Sequence, residues 1–293
     1  MRGVSSKAPL NILKARTLHD IRWLIHGFST RGGGVSRVYG GGALNLGFTK
    51  HDSRTAVERN RLLLLRQVGM IAGKKPWPVV TLRQVHSDLV HCVDSSPAHQ
   101  LVGDGLITGT PEILLAVQTA DCLPLILVDP KSRAAGVFHA GWRGTLKRIA
   151  AKGVGEMRRC FGSEPRFLKA AIGPGIHSCC YEVGPEVREK FESQFAYAGD
   201  LFREVKESDA VREKYPLLFL NARPPGHSEV LNKIFLDLVE ANRRQLIDAG
   251  VPAKNVAASE FCTSCRSDLL FSHRAEKSIT GRMMAVVGIR KLP

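Results

Sequence analysis

The sequence predicts an α+β fold in which layered, mixed β-sheets carry helices on their outside. Short apolar runs typical of buried strands lie close together in sequence, whereas a purely parallel sheet needs a long crossover between neighbouring strands. Strand-like and helix-like segments alternate only in part, and no repeat or clear linker divides the chain of 293 residues. We therefore expect one domain over residues 21–293, preceded by a poorly ordered lead-in over residues 1–20.

The predicted strands are runs rich in aliphatic and β-branched residues, bounded by turn residues. Two of them flank an Asp-Cys corner, and the last one closes the chain. In chain order they are 21–29, 78–85, 89–93, 101–108, 113–118, 123–128, 134–139, 167–172, 256–261 and 283–289.

Four segments have the apolar periodicity or the end signals of helices, namely 56–68, 145–160, 185–195 and 230–249. The last of these ends at Gly250, two residues before Pro252, which is a common way for a helix to stop. The glycine runs at 30–34 and 40–42 predict loops whose backbone can approach a ligand closely. Their spacing does not match a nucleotide-binding motif.

Composition narrows the class of protein. Hydrophobic residues make up 44% of the chain, which is enough for a sizeable core. No apolar run reaches the roughly 20 residues that span a bilayer, and no signal-peptide core follows the N-terminus. We expect a cytoplasmic protein without a membrane partner. The seven cysteines are an odd number, which argues against a disulfide framework.

The formal net charge is +15, which raises the question of a nucleic-acid partner. The basic residues are scattered, however, and neither a dense basic run nor an RNA-binding aromatic signature is present. We expect no nucleic-acid partner. A positive field can instead attract an anionic substrate such as phosphate.

Three predicted strands end in a residue that can bind a metal or do chemistry: His86, Cys122 and His139. Three protein ligands with an open fourth position are typical of catalytic zinc. Asp121 stands where it can orient a ligand or accept a proton. The turn after His139 presents Arg143 and backbone N–H groups to an anion.

The same residues allow a second interpretation without metal. Cys122 would then be a thiolate nucleophile, with His139 or His86 as its base. Both interpretations need a deprotonated sulfur beside an imidazole, so the residues alone leave the alternatives open.

Several motifs together resemble the laccase-domain (polyphenol oxidase-like) family, over about residues 27–289. The motifs are GFSTRGGGVS, ALNLG, RQVHS, GDGLIT, AVQTADCLPLILVDP, GVFHAGWRGTL, AAIGPGIHSCCYEVGPEV, DLVEANRRQLIDAGV and FCTSCRSDLLFSHRAEKSITGR. This resemblance implies a single α+β laccase-type domain and a zinc ion held by His86, Cys122 and His139. It also implies phosphorolysis of adenosine, inosine and 5′-methylthioadenosine, and deamination of adenosine.

On that basis purine nucleosides and phosphate are the expected partners. Arg31, Arg61 and Arg143 are candidates to bind phosphate or ribose, with Arg143 the first of them, and Asn45 is a candidate to bind the sugar or the base. Cys122, Asp121 and Arg143 are the candidate catalytic residues.

Two other activities are alternatives. One is a hydrolase that edits peptidoglycan precursors by removing an amino acid from a UDP-sugar peptide. The other is a copper-dependent polyphenol oxidase. The latter is disfavoured because a laccase needs many histidine ligands, and this chain has ten scattered histidines.

The chain departs from the family pattern near its C-terminus. His273 stands where a tyrosine is common in the family, and Ala275 where a second arginine is common. If this segment contacts substrate, the preference for a base or the rate differs here.

Overall fold

The structure is a computed structural model that describes residues 10–70, 76–205, 232–277 and 279–291. Two compact units can be distinguished: Met1–His177 together with Leu238–Pro293, and Ser178–Asp237.

The described strands are mostly short. They are β1 (Ile12–Leu13), β2 (Leu24–Ser29), β3 (Gly32–Ser36), β4 (Val79–Val80), β5 (Leu82–Arg83), β6 (Val90–Cys92), β7 (Leu101–Val102), β8 (Gly105–Thr108), β9 (Leu114–Thr119), β10 (Leu123–Asp129), β11 (Ala134–Ala140), β12 (Lys169–Ile172), β13 (Glu182–Val183), β14 (Phe202–Val205), β15 (Lys233–Leu236), β16 (Val256–Ala258) and β17 (Met283–Ile289). The described α-helices are α1 (Arg54–Gln67), α2 (Trp142–Leu146), α3 (Ile149–Phe161), α4 (Pro185–Glu192) and α5 (Leu238–Asp248).

The larger unit is built on two mixed sheets. The first has the order β1-β2-β17-β9-β4, in which only β4 and β9 pair in parallel. The second has the order β16-β12-β10-β11-β8-β6, antiparallel in its centre and parallel in the pair at each edge. This confirms the prediction of an α+β fold with mixed sheets.

The core of this unit lies between the two sheets. Phe28 and Val117 of the first sheet pack in one apolar cluster with Ile126 and Val137 of the second. Helix α1 covers the other face of the first sheet. Because both faces of that sheet are buried, its strands are apolar runs rather than alternating patterns.

Helix α3 packs on the outer face of the second sheet. A Cβ at Gly153 would lie 2.7 Å from the ring of Phe138, so a glycine is needed for helix and strand to approach this closely. Helix α5 packs beside α3, and Gln245 of α5 donates through Nε2 to the carbonyl of Thr145 at 2.7 Å.

The smaller unit contains an antiparallel sheet with the order β13-β15-β14 and the helix α4. Phe191 of α4 has its ring centroid 5.5 Å from that of Phe195 and 5.8 Å from that of Phe202. These aromatic contacts give the unit its own small core.

Two predicted helices differ from the structure. The prediction of a helix over 230–249 is wrong at its start, because Lys233–Leu236 is strand β15, paired on both sides, and the helix begins only at Leu238. The first two residues of that prediction lie outside the described residues. The prediction of one helix over 145–160 is also wrong, because Arg148 has φ +64° and separates α2 from α3.

The prediction that the first glycine run forms a loop is wrong as well. Residues Gly32–Ser36 form β3, and the glycines allow a close approach to the chain's own backbone rather than to a ligand. A Cβ at Gly34 would lie 2.2 Å from the carbonyl oxygen of Ala43, and Gly33 has φ +86°.

The division into a lead-in over 1–20 and a domain over 21–293 stays a prediction. Residues 1–9 lie outside the described part of the chain. Ile12 and Leu13 pair with β2, and Leu18 is buried. Among the helices that the structure describes, each is too short or too polar to cross a bilayer.

Candidate metal centre

The register of β10 and β11 brings Cys122 and His139 together. Leu123 pairs with Ala140 and Pro124 with His139, so Cys122, one residue before β10, lies opposite Gly141. A Cβ at Gly141 would lie 2.9 Å from Cys122 Sγ and 2.9 Å from His86 Cδ2. A glycine is therefore required where the cysteine and the first histidine meet.

The carboxylate of Asp104 positions the loop that carries His86. It accepts hydrogen bonds from the backbone N–H of His86 at 3.1 Å and of Ser87 at 2.6 Å, and from the Ser87 hydroxyl at 2.7 Å. His86 has φ +58°, a conformation that costs a non-glycine residue about 1–3 kcal/mol. Such strain persists only where the surroundings enforce it, and these hydrogen bonds enforce it here.

Asp104 also orients His139. Its Oδ1 lies 2.8 Å from His139 Nδ1, and both side chains are buried. With Nδ1 engaged by the carboxylate, Nε2 is the nitrogen available to Cys122 or to a metal. The rings of His86 and His139 meet edge to face, with centroids 4.9 Å apart.

The ligand atoms of His86, Cys122 and His139, hereafter the triad, all lie within 4.8 Å of one another. Cys122 Sγ is 3.8 Å from His86 Nε2. A tetrahedral zinc ion with its usual bond lengths places sulfur and nitrogen ligands about 3.5 Å apart. The donor set and its spacing therefore fit a bound metal ion.

Electrostatics prepare the sulfur for metal binding or for nucleophilic attack. Burial raises the pKa of the Cys122 thiol, but His139 and His86 outweigh this effect and lower the pKa to about 6. Burial lowers the pKa of His139, but the Cys122 thiolate and Asp104 outweigh it and raise the pKa. Thiolate and imidazolium thus stabilise each other when no cation lies between them.

Asp104 is held in its ionised form. Burial raises the pKa of its carboxyl, but hydrogen bonds from His139 and Ser87 outweigh burial and keep that pKa well below its usual range. A carboxylate that is ionised at every ordinary pH keeps His139 in one orientation.

The triad lines a cavity of about 380 Å³. Gln84 and Gln118 form two hydrogen bonds of 2.8 Å, through which the Gln84 amide ties the His86 loop to β9. The remaining polar side chains of the wall are those of Gln118, Thr119, His273 and Arg282. The cavity therefore offers amides, a hydroxyl, an imidazole and the guanidinium of Arg282 beside the triad, as sites for polar small molecules do.

The structure does not place the predicted catalytic residues Asp121 and Arg143 in the wall of this cavity. Asp121 has φ +89°, and its carboxylate accepts hydrogen bonds of 2.6 Å from the Thr263 hydroxyl and the Arg274 N–H. Arg143 is exposed, with its guanidinium 4.3 Å from the ring centroid of Trp142. The carboxylate that orients His139 is Asp104, not Asp121.

The three predicted substrate-binding residues also lie outside the wall of this cavity. Arg31 forms an ion pair of 3.0 Å with Glu276. Asn45 is fully buried and donates to Asp52 at 2.8 Å. Arg61 donates through Nε to the carbonyl of Leu46 at 3.0 Å. Their roles toward substrate stay predictions.

Sequence reasoning missed Asp104, Gly141 and the two glutamines. Each lies within a motif that the sequence analysis quoted, and Asp104 stands in GDGLIT, inside the segment predicted as the strand 101–108. The motif carries the information, but its role is visible only once the strands are paired.

Comparison with known proteins gives a consistent result. A family model described as multi-copper polyphenol oxidoreductase laccase matches residues 25–290, which confirms the resemblance noted from the motifs. A purine nucleoside phosphorylase of Deinococcus radiodurans is 37% identical over 265 residues, covering 90% of this chain and 88% of that protein. An adenosine deaminase, RL5, from an unknown prokaryotic organism is 33% identical over 267 residues, with 88% and 91% covered.

The fold recurs in solved structures. The crystal structure of a hypothetical protein, YfiH, of Bacillus licheniformis superimposes with a TM-score of 0.80 at 31% identity, and 97% of each chain is covered. The α+β arrangement described above is therefore shared along nearly the whole length of both chains.

Proposed function

The chain belongs to the multi-copper polyphenol oxidoreductase laccase family, and from that premise we propose that it is a purine nucleoside phosphorylase that also deaminates adenosine. The observation that carries the proposal is the triad, oriented by Asp104, at the wall of a cavity lined with amides. The relatives named as phosphorylases and as an adenosine deaminase support it. Adenosine, inosine and 5′-methylthioadenosine are the proposed nucleosides.

We propose zinc as the metal, held by His86, Cys122 and His139. When bound there, zinc supplies Lewis-acid polarisation of a neighbouring oxygen. Two imidazoles and one thiolate can also bind copper, since blue-copper sites use this donor set with a weak axial methionine, glutamine or backbone oxygen. Three protein ligands with an open fourth position are typical of catalytic zinc, which favours zinc here.

The chain's own residues have distinct tasks in this proposal. Asp104 keeps His139 Nδ1 engaged and thereby orients Nε2 toward the cavity. The side-chain amide of Gln118 makes no hydrogen bond to the described residues, so both its donor and its acceptor can bind the edge of a purine. His273 lines the same wall, which makes its departure from the family's tyrosine a candidate determinant of base preference.

The test is a product assay with adenosine on purified protein of known metal content, with and without phosphate. Adenine and ribose-1-phosphate that form only with phosphate support phosphorolysis, and inosine reports deamination. Absence of turnover in both conditions, at full metal occupancy, contradicts the proposal. Elemental analysis of the same sample distinguishes zinc from copper.

One observation favours a second function. Cys122, His139 and Asp104 follow one another as nucleophile, base and orienting carboxylate do in thiol hydrolases. This arrangement supports the alternative of an amide hydrolase that acts through the Cys122 thiolate. A strong chelator separates the two: it inactivates the proposed phosphorylase, whereas a thiolate hydrolase keeps its activity and is inactivated by alkylation.

A further inference from the structure

A second cavity of about 280 Å³ adjoins the cavity of the triad. Gln118 and Arg282 line both cavities, and Phe48, Lys50, His51 and Thr280 belong to the second. Two molecules bound in the two cavities would therefore meet at Gln118 and Arg282.

The second cavity is basic. Lys50 and Arg282 carry positive charges at neutral pH, and among the described residues no carboxylate belongs to its wall. The nearest acid in sequence, Asp52, accepts hydrogen bonds from Ser36 at 2.6 Å and from Asn45 at 2.8 Å.

Among the described residues, Glu276 is a further acid close to this wall, since it accepts a hydrogen bond from the Thr280 hydroxyl. Its charge is balanced by Arg31, at 3.0 Å. The positive charges of Lys50 and Arg282 therefore lack an acidic partner among the described residues, and an anion in the cavity would supply one.

Arg282 is held in place rather than mobile. Its backbone N–H donates to Asn45 Oδ1 at 2.9 Å, and Nη1 donates to the carbonyls of Thr280 at 3.2 Å and Gly281 at 3.0 Å. A Cβ at Gly47 would lie 2.6 Å from Arg282 Cγ, so the arginine side chain fits in this position only because residue 47 is a glycine. Nε and Nη2 make no hydrogen bond to the described residues and can hold two oxygens of one tetrahedral anion.

We infer that this second cavity is the subsite for inorganic phosphate, with Arg282 and Lys50 as its ligands; the inference rests on the proposed phosphorylase function. In phosphorolysis a phosphate oxygen forms a bond to the ribose C1′ as the bond from C1′ to the purine nitrogen breaks. The electron pair leaves with the purine, and the proton of hydrogen phosphate ends on that base. The two substrates must lie side by side, as the shared wall of Gln118 and Arg282 allows.

This assignment differs from the expectation based on the sequence, which proposed Arg31, Arg61 and Arg143 for phosphate. Arg31 is balanced by Glu276, Arg61 is engaged with Leu46, and Arg143 lies against Trp142. Arg282 keeps two nitrogens without a hydrogen bond to the described residues and faces both cavities.

The test combines phosphate binding with kinetics on the full-length, metal-containing protein. Inorganic phosphate labelled with ³²P is titrated in equilibrium dialysis without nucleoside. Lys50→Ala is expected to weaken this binding about tenfold and to raise the KM for phosphate by a similar factor, as loss of a charged contact does. Lys50 is exposed, so the variant should fold. Lys254→Ala, an exposed lysine outside both cavities, is the charge-matched control and should leave both constants within twofold.

The outcomes test the phosphate subsite and the proposed phosphorylase function separately. Phosphorolysis with unchanged phosphate binding and KM in Lys50→Ala and in Arg282→Lys overturns the subsite and leaves the proposed function intact. Phosphate binding that depends on Lys50, in a protein without phosphorolysis, supports the anion site while the proposed function fails. A nucleoside 5′-monophosphate that binds through Lys50 when inorganic phosphate does not bind would overturn the assignment to inorganic phosphate.

Discussion

The triad differs from a second polar region of the same unit in where its polar atoms find their partners. This second region, the Asn60 network, consists of Ser36, Asn45, Asp52 and Asn60. Asn60 is fully buried; its amide donates to Ser36 Oγ at 2.9 Å and to the Asn45 carbonyl at 2.8 Å and accepts from the Val35 N–H at 2.8 Å. The polar atoms of the network therefore form hydrogen bonds to other groups of the protein. The triad, by contrast, turns its ligand atoms toward one another and toward a cavity.

The comparison shows why residue type alone does not identify a site. Both regions contain buried polar groups, and both include residues that the sequence analysis proposed for function: the triad for binding a metal, and Asn45 of the network for binding the sugar or the base. Buried polar groups need partners, and a region that supplies them internally is structural. A region whose polar atoms face a cavity can still bind a ligand. The predictions below test this distinction.

The largest effect is expected at the sulfur. Cys122→Ala removes one of three ligands, so bound metal should fall to a small fraction of its original amount. Activity should decrease by more than about 100-fold, because loss of a residue that only hydrogen-bonds to a metal ligand already costs about 10–100-fold. Metal analysis and turnover of adenosine measure it, with circular dichroism to check the fold. Cys92→Ala, at an exposed thiol, is the matched control. Full activity in Cys122→Ala would remove both the metal and the thiolate hypotheses.

Asp104→Asn should have the next largest effect. The amide keeps the shape but loses the charge that orients His139, and the loss of such a partner typically costs about 10–100-fold in metal affinity. Competition with a chelator measures it. If metal affinity is unchanged while thermal stability decreases, Asp104 only shapes the His86 loop, and the triad resembles the Asn60 network more than we infer.

Asn60→Ala tests the network. The substitution leaves the Val35 N–H and several acceptors without a partner in a buried place, which should lower the free energy of unfolding by about 2–4 kcal/mol. Denaturant titration measures the loss, and Arg59→Ala, exposed on the same helix, is the control. A large loss of metal together with unchanged stability would contradict the division into structural and ligand-binding regions.

Acid should lower the folding stability through a third group, His26, which belongs neither to the triad nor to the Asn60 network. His26 is buried, and burial followed by the charge of Lys14 lowers its pKa to about 4. The unfolded chain takes up this proton near pH 6.5 and the folded chain only near pH 4, so stability is present above pH 6.5 and decreases as the pH falls between these values. The full loss is about 3 kcal/mol.

Denaturant titrations of metal-free protein at several pH values measure this loss, and His26→Gln should flatten the dependence. An unchanged slope in His26→Gln would assign the acid sensitivity to other groups. The protein must be free of metal, because protonation of the triad ligands would otherwise release metal and add a second loss of stability to the measured one.

The smallest effect is expected for Arg61→Ala. The guanidinium lies 4.3 Å from the ring centroid of Phe48 and donates through Nε to Leu46, so its loss should cost about 1 kcal/mol of stability. Thermal unfolding measures it. The sequence-based expectation that Arg61 binds substrate predicts a rise in the KM for phosphate or nucleoside instead, and a tenfold rise would move the phosphate subsite toward this residue.

Several features of the fold were readable from local sequence. The strands at β9, β10, β11 and β17 follow from apolar runs, because strands buried on both faces need no polar alternation. The start of α5 was misjudged because residues 233–236 gain their stability from pairing with β13 and β14, which a local pattern does not contain. The break between α2 and α3 depends on one residue with positive φ, Arg148.

The sequence by itself determined which residue types could form a centre: His86, Cys122 and His139 each lie at the end of an apolar run, and their chemistry suits metal binding or thiolate catalysis. Only the tertiary structure decided which polar groups share that centre. Asp104 reaches both histidine segments, Gly141 makes room for the sulfur, and Asn45 and Arg61 are engaged elsewhere. The physical reason is that a polar group acts on a ligand only if no neighbour has already satisfied it, and neighbours are set by strand register and packing.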